Sequence, residues 1–139
     1  MRASLAVAIG GLIGTGLRLG FDLAFPHPDD AFPVETLLIN LTGAFALGVL
    51  AGGLWRRPST PQWVKAGVGA GVLGSFTTLS AVAAAVVVLG REGAWWTAGG
   101  YLLASVAGGL AAAALGLRVG SSLIHRRMPR SVTDHGETL

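Results

Sequence analysis

Residues 64–89 read VKAGVGAGVLGSFTTLSAVAAAVVVL and form the longest of four apolar stretches in the chain. A helix needs about 20 apolar residues to cross a hydrocarbon core about 30 Å thick, so this stretch can span a membrane. Four glycines precede a cluster of hydroxyl residues that ends at Ser80, and such a run is poor material for a continuous helix. Non-helical backbone persists at membrane depth only where it is buried in protein or lines a polar cavity. We therefore predict a span that is broken near Gly74–Thr78, close to the bilayer midplane.

Three further stretches, residues 5–25, 34–54 and 94–117, are also long and apolar enough to cross a membrane. Proline-rich or charged links separate the stretches, and tryptophans stand at several of their ends, where aromatic side chains collect at membrane interfaces. The sequence therefore predicts an all-α membrane protein with four transmembrane helices, the third broken near its middle. We assign residues 1–124 to one transmembrane domain and residues 125–139 to a polar cytoplasmic tail.

The composition excludes a soluble fold. Hydrophobic residues make up 52% of the 139 residues, and ten basic and seven acidic side chains would cover the surface of a small soluble domain poorly. The mean hydropathy is +0.64, so the apolar surface must face lipid. There are no cysteines, the three histidines lack metal-ligand spacing, and no nucleophile–base pair is visible, so we do not expect an enzyme. We interpret the net charge of +3 as a determinant of orientation in the membrane and of attraction to anionic lipid, and not as a sign of nucleic-acid binding.

The basic residues lie mostly on one side of the predicted bilayer. With four crossings, the two termini and the middle loop share a side, and that side carries eight of the ten lysines and arginines. These eight are Arg2, Arg56, Arg57, Lys65, Arg118, Arg126, Arg127 and Arg130. The opposite side carries only Arg91, and Arg18 falls inside the first span. By the positive-inside rule, we expect a multi-pass protein of the plasma membrane with both termini in the cytoplasm.

The polar residues expected at membrane depth are almost all uncharged donors. They are Asn40, Thr77, Thr78, Ser80, Tyr101 and Ser105. Each also has an ordinary explanation: an interhelical hydrogen bond for the amide, bonding to the preceding turn for the hydroxyls, and an interfacial place for the tyrosine. As a set, such donors suit a small anion, because they replace its hydration shell without a deep fixed cation that would trap it. Arg18 either snorkels toward an interface or pairs with Asp22.

Four short motifs follow one another along the chain in a recognisable order. Residues 10–18 read GGLIGTGLR, and residues 33–45 read PVETLLINLTGAF. Residues 74–80 read GSFTTLS, and Tyr101 with Ser105 follows in the fourth stretch. Each motif alone is weak evidence. Together they resemble the first-helix motif, the second-helix motif, the third-helix break and the fourth helix of the CrcB/Fluc family of fluoride channels.

This resemblance implies an antiparallel dimer of four-helix subunits, with two pores lined by both subunits. It implies passive export of fluoride from the cytoplasm, driven by its gradient and the membrane potential, which relieves fluoride toxicity. It also implies a structural sodium ion on the dimer axis, held by the backbone carbonyls of Gly74 and Thr77. By position, the pore and anion-binding residues are Asn40, Thr78, Ser80, Tyr101, Ser105 and Arg18, the last near the cytoplasmic vestibule.

The sequence departs from the family pattern in the third helix. The family usually carries two phenylalanines whose positive ring edges face the anion, and Leu79 and Val82 occupy those positions here. Because aliphatic side chains lack this quadrupole, a pore that relies on this subunit for that contact should be impaired. The one-sided charge also disfavours two copies inserted in opposite directions. We therefore expect a heterodimer with an oppositely oriented homologous subunit, and a homodimer is the alternative.

Two other functions compete with this interpretation. A small proton-coupled multidrug transporter would need a carboxylate deep in the first helix, where the chain has residues such as Ile13 and Gly14. A non-conducting scaffold or assembly subunit would use its polar residues only to hold helices together. The absence of both phenylalanines keeps this second alternative open.

Overall fold

The structure is a computed structural model, and it describes residues 2–25 and 32–125. Every regular element in this part of the chain is helical, and four of its helical stretches are long and apolar enough to cross a membrane. The prediction of an all-α membrane protein with four transmembrane helices is therefore confirmed. The tail predicted at residues 125–139 lies outside the described residues, apart from His125.

The first two spans are continuous helices that lie close to their predicted bounds. Helix α1 comprises Arg2–Ala24 and helix α2 comprises Val34–Gly52. A short 3-10 turn at Leu54–Arg56 follows α2 and brings the chain to the loop that precedes the third span. The turn places basic residues directly after an apolar helix, as expected for a chain that leaves the hydrocarbon core there.

The third span changes its helical form along its length. It begins with α3 (Gln62–Ala66), continues as a π-helix (Gly67–Leu73) and ends its first half with the short α4 (Gly74–Phe76). The next two residues are extended, with ψ angles of 151° and 124°, and α5 (Leu79–Arg91) follows them. The π-helix coincides with the glycine run, where the intrinsic preference for a regular α-helix is weakest. The backbone thus leaves helical geometry at Thr77 and Thr78.

Helix α6 (Trp95–His125) forms the fourth span and continues beyond the predicted end at Leu117. Its later turns carry Ser121 and Ser122, whose hydroxyls donate to backbone carbonyls three residues earlier, at 2.9 Å and 2.8 Å. Such local bonds satisfy the hydroxyls without ending the helix. The apolar stretch therefore marks the part that crosses the membrane, and the helix itself extends further.

The helices pack in two close pairs, with α1 against the π-helix and α2 along α6. The α2–α6 contact brings backbone against backbone. A Cβ atom on Gly48 would strike the carbonyl of Ala113, and one on Gly116 would strike the carbonyl of Phe45. Small residues let membrane helices approach in this way, so these glycines set the distance between α2 and α6.

The core within the subunit is small. Its buried cluster lies on α5 and α6 and comprises Val82, Leu89, Ala98 and Tyr101. Many large apolar side chains of the described residues are instead exposed along the lengths of the helices. Since these helices are long enough to cross a bilayer, this surface faces lipid or another subunit, and the protein is a multi-pass membrane protein.

We expect Gly48→Ala to destabilise the protein, because the new Cβ meets a backbone carbonyl that moves only if α2 and α6 separate. Overpacking of this kind costs about 1–3 kcal/mol. Gly99→Ala is the matched control, since no atom lies within 4 Å of its new Cβ. This control should be neutral or stabilising, because alanine is favoured over glycine in a helix by about 1 kcal/mol. Thermal unfolding of the two variants in detergent, monitored by tryptophan fluorescence, gives their melting temperatures. Equal melting temperatures would contradict the close contact between α2 and α6.

Candidate functional site

The break in the third span forms one wall of a cleft of about 350 Å³, which we call the polar cleft. Helices α2 and α6 contribute to the other walls. The cleft brings together five of the eight residues that the sequence suggested for a site: Asn40, Gly74, Thr77, Thr78 and Ser105. The other three, Arg18, Ser80 and Tyr101, do not line it.

The remainder of the polar cleft is apolar, and the sequence analysis did not assign those residues to a site. Ala44 and Leu47 line it from α2, and Val106 lines it from α6. A signal was available in the spacing, because Asn40, Ala44 and Leu47 stand at i, i+4 and i+7 and share one face of a helix. Taken singly, these residues cannot be distinguished from lipid-facing side chains, so only the packing assigned them to the cleft.

Asn40 bonds to the backbone of the break through both ends of its amide. Its Nδ2 donates to the carbonyl of Thr78 at 3.0 Å, and the N–H of Thr78 donates to its Oδ1 at 2.8 Å. The side chain thus pairs with the backbone as a neighbouring strand would. An asparagine amide has two N–H donors, so one remains for another acceptor. The sequence suggested a pore donor, whereas the structure shows first a residue that holds the break in place.

The two carbonyls suggested as sodium ligands are those that lose their helical donors at the break. In a continuous helix, the N–H of Thr78 would donate to Gly74, and the N–H of Ala81 would donate to Thr77. Here Thr78 donates to Asn40, and Ala81 donates to the hydroxyl of Thr78 at 3.4 Å. Gly74 and Thr77 both line the polar cleft. Their carbonyls are therefore chemically suited to a hard cation.

The three hydroxyls around the break are engaged locally. Thr77 Oγ1 donates to the carbonyl of Leu73 at 2.8 Å, which is bonding to the preceding turn. Its methyl group lies against Gly43, where a Cβ would strike it. Thr78 Oγ1 caps the first turn of α5 and shares a 2.8 Å hydrogen bond with Ser80 Oγ. Ser80 is exposed, so it reaches the polar cleft only through Thr78.

Tyr101 and Ser105 lie one turn apart on the same face of α6, as their spacing suggested. Tyr101 is fully buried, with its ring edge against Phe32 at a centroid distance of 5.1 Å. Both hydroxyl oxygens are buried, and neither makes a hydrogen bond of ordinary geometry to a described residue. The two hydroxyls and the Arg18 guanidinium are close enough to influence one another electrostatically. Ser105 also lines the polar cleft, so this stripe connects it to the buried tyrosine.

Arg18 lies toward the end of α1 and pairs with an acidic residue one turn further along. Its Nε is 3.7 Å from Oδ2 of Asp22, and one of its terminal nitrogens is buried without a hydrogen-bond partner among the described residues. It stands sixteen residues after Arg2, or about 24 Å along α1. It therefore lies in the half of the membrane opposite the cation-rich end. Its place near a cytoplasmic vestibule stays a prediction, because it depends on the orientation of the chain in the membrane.

The two residues that replace the family's phenylalanines point in different directions. Leu79 is 75% exposed, whereas Val82 is only 2% exposed and packs in the cluster that contains Tyr101. Both contribute atoms to the polar cleft. Val82 therefore serves mainly as core, and the side chain of Leu79 remains exposed at the cleft.

The fold and the cleft define a class of protein: a small multi-pass membrane protein whose uncharged polar groups face an open cleft. Residues 5–117 match the family described as CrcB-like protein, Camphor Resistance (CrcB). The chain therefore belongs to the CrcB-like family, and the family suggested by its four motifs is confirmed.

Named relatives agree with this family. The chain is 41% identical over 109 residues to "Fluoride-specific ion channel FluC 2" of Geobacillus kaustophilus, which covers 78% of this chain and 84% of that protein. It is 40% identical over 121 residues to "Fluoride-specific ion channel FluC" of a Chelativorans species, with 86% and 97% covered. It is 36% identical over 131 residues to "Fluoride-specific ion channel FluC 3" of Streptomyces avermitilis, with 94% and 64% covered. These are ion channels by name and not enzymes, in agreement with the sequence-based expectation.

We expect Asn40→Leu to loosen the break, because it removes both hydrogen bonds to the Thr78 backbone. Leaving buried backbone groups unpaired costs about 1–3 kcal/mol, so amide hydrogen exchange across residues 74–82 should accelerate about tenfold or more. The matched control is Thr42→Val on the same helix, whose hydroxyl only bonds to the carbonyl of Leu38. Unchanged exchange in the Asn40 variant would show that the break holds its shape without the amide.

Proposed function

We propose that this chain is a subunit of a fluoride-specific channel, through which fluoride leaves the cytoplasm passively and which relieves fluoride toxicity. The names of its relatives support this proposal. The chemistry of the polar cleft supports it too, because amide and hydroxyl donors are present and no carboxylate among the described residues lines the cleft. The amide and hydroxyl donors favour a small anion, and a lining without a described carboxylate does not repel it.

The observation that carries the proposal is the pair of buried hydroxyls at Tyr101 and Ser105, which have no partner among the described residues other than each other. Two hydroxyls that bond only to each other keep one O–H donor, which a ligand or a water molecule is expected to accept. The two stand one turn apart, which separates them by about 6 Å along the helix axis. An anion that passes from one to the other meets weak, successive donors, as conduction requires.

We infer further that the carbonyls of Gly74 and Thr77 hold a structural sodium ion between two subunits. Carbonyls of unwound membrane helices are ligands that Na⁺ accepts. Both carbonyls have lost their helical donors to Asn40 and to the Thr78 hydroxyl. A bound cation would compensate the carbonyl dipoles that the break turns toward the cleft.

We propose that the polar cleft is covered by a second, homologous subunit in the opposite orientation. Its open side and the exposed Leu79 are typical of a surface that a partner completes. A pore completed by such a partner would take its aromatic contacts from the partner, since this chain has Leu79 and Val82. The relatives numbered FluC 2 and FluC 3 are consistent with organisms that have more than one such subunit.

Charge supports a heterodimer over a homodimer. The described cations Arg2, Arg56, Arg57, Lys65 and Arg118 belong to one end of the helices, and Arg91 belongs to the other. In a homodimer of two copies in opposite orientations, one copy would have its cation-rich end on the side opposite the cytoplasm, against the positive-inside rule. We therefore propose a fixed orientation in the plasma membrane, with both termini in the cytoplasm.

A non-conducting assembly subunit is the second candidate, and particular contacts favour it. The Asn40 amide and the Thr77 hydroxyl both have intramolecular partners, and Val82 is part of the core. A proton-coupled transporter has less support, because the one acidic residue of α1, Asp22, lies near its end and pairs with Arg18.

We expect liposomes that contain this chain alone to release fluoride slowly, and liposomes that contain it with an oppositely oriented homologue to release fluoride rapidly. A fluoride electrode measures the efflux, and chloride efflux from the same liposomes is the control for leakage. Fast fluoride efflux from the lone chain would contradict the heterodimer. An absence of fluoride efflux with every homologue tested would contradict the channel.

We expect Ser105→Ala to reduce fluoride efflux from the assembled channel, because it removes one donor from the stripe on α6. A hydrogen bond to a charged group is worth about 1.5–3 kcal/mol, or roughly ten- to a hundredfold in rate. Ser122→Ala is the control on the same helix, since that hydroxyl bonds only to the carbonyl of Val119. Equal efflux from the two variants would favour the assembly subunit over the channel.

A further inference from the structure

A second concavity lies between the ends of α2 and α6 at the cation-rich end, and we call it the arginine cleft. Its volume is also about 350 Å³. The residues that line it are Ala51, Gly52, Arg56, Leu117, Arg118 and Ser121. Two guanidinium-bearing side chains thus share one cleft that no carboxylate among the described residues lines.

The arginine cleft lies at the level of the lipid headgroups. Trp95 and Trp96 at the start of α6 are 71% and 96% exposed, as tryptophans of an interfacial belt are. Arg118 follows Trp95 by about 35 Å along the helix axis. The hydrocarbon core is about 30 Å thick, so Arg118 reaches the opposite interface. Arg56 stands at the same level, because it ends the 3-10 turn that follows α2.

We propose that the arginine cleft binds the phosphate of an anionic phospholipid from the leaflet on the cation-rich side. A guanidinium presents a planar fork of donors that matches two phosphate oxygens, and two such groups in one cleft match a phosphodiester. The small residue Ala51 lines the cleft beside them. Gly52 holds α2 against α6 at this point, because a Cβ atom there would strike the carbonyl of Leu117. Basic clefts between transmembrane helices on the cytoplasmic side are suited to anionic headgroups.

The surroundings favour a lipid over a soluble phosphate as the occupant. A cleft of about 350 Å³ is near the lower end of small-molecule sites, so it accommodates a headgroup but not whole acyl chains. An apolar surface continues from it toward the membrane interior. Leu117 lines the cleft and is 46% exposed, and Leu110, two turns earlier on the same face of α6, is 69% exposed. The acyl chains would lie along this face while the phosphate meets Arg56 and Arg118.

The proposal concerns a lipid site and does not depend on fluoride conduction. Its test compares two double variants of the full-length protein, each of which removes two cations from the same end. Arg56→Gln with Arg118→Gln removes the cations of the arginine cleft. Arg2→Gln with Arg57→Gln is the matched control, because neither of those residues lines that cleft. Native mass spectrometry in a neutral detergent then counts bound dioleoyl phosphatidylglycerol, with dioleoyl phosphatidylcholine as the zwitterionic reference.

We expect the unmodified protein and the control double variant to retain phosphatidylglycerol in preference to phosphatidylcholine. The cleft double variant should bind phosphatidylglycerol roughly a hundredfold more weakly, because each guanidinium that donates to the phosphate contributes about tenfold in affinity and a cation outside the cleft makes no such bond. The same preference should appear as a rise in melting temperature on addition of phosphatidylglycerol, and the cleft variant should lose that rise.

Three results would overturn the proposal. Equal loss in both double variants would show attraction to the general surface charge and not to the cleft. Inorganic phosphate that displaces the lipid at a similar concentration would assign the cleft to a soluble anion. Unchanged lipid retention in the cleft variant, together with lowered fluoride efflux in purely zwitterionic liposomes, would assign the two arginines to the permeating ion.

Discussion

The structure depends on one requirement of the bilayer, which is that every backbone polar group inside the hydrocarbon core needs a partner. The third span leaves helical geometry at Thr77 and Thr78, where the backbone would otherwise be unpaired. Asn40 meets the requirement from α2, since its amide pairs with both the N–H and the carbonyl of Thr78. Asn40 thereby takes the helical donor of the Gly74 carbonyl, and the Thr78 hydroxyl, which accepts from Ala81, takes that of the Thr77 carbonyl. The local chemistry of the polar cleft thus follows from two side chains, Asn40 and Thr78.

The small core leaves most of the apolar surface of the helices uncovered within the chain. Helices held together by glycine contacts bury little side-chain area, so most apolar side chains remain on the outside. Lipid covers such a surface readily, but it cannot satisfy the polar groups of an open cleft. Leu79 lines that cleft with an exposed side chain, so it lies on the surface where we propose that a second subunit packs. Val82 has the opposite role, because its contacts are already made within the subunit.

The kind of polar group that the chain offers changes with depth in the membrane. Near the midplane the chain offers amide, hydroxyl and carbonyl groups without charge, which an ion leaves as readily as it enters. At one membrane surface it offers clustered arginines, including Arg56 and Arg118, whose charges are stable at the headgroup level. Arg18 departs from this division, and it is accommodated by Asp22 one turn further along α1.

The sequence by itself determined the four spans, the side that carries the cations, the neighbourhood of the break and the family. These features depend on local composition and helical period, which are readable along one chain. It could not determine that the Asn40 amide bonds to the backbone of Thr78. It also could not assign Leu47 and Val106 to the polar cleft, since they resemble any lipid-facing residue. Only the tertiary structure decided these points, because they depend on which helix faces meet, and residues distant in sequence set that geometry.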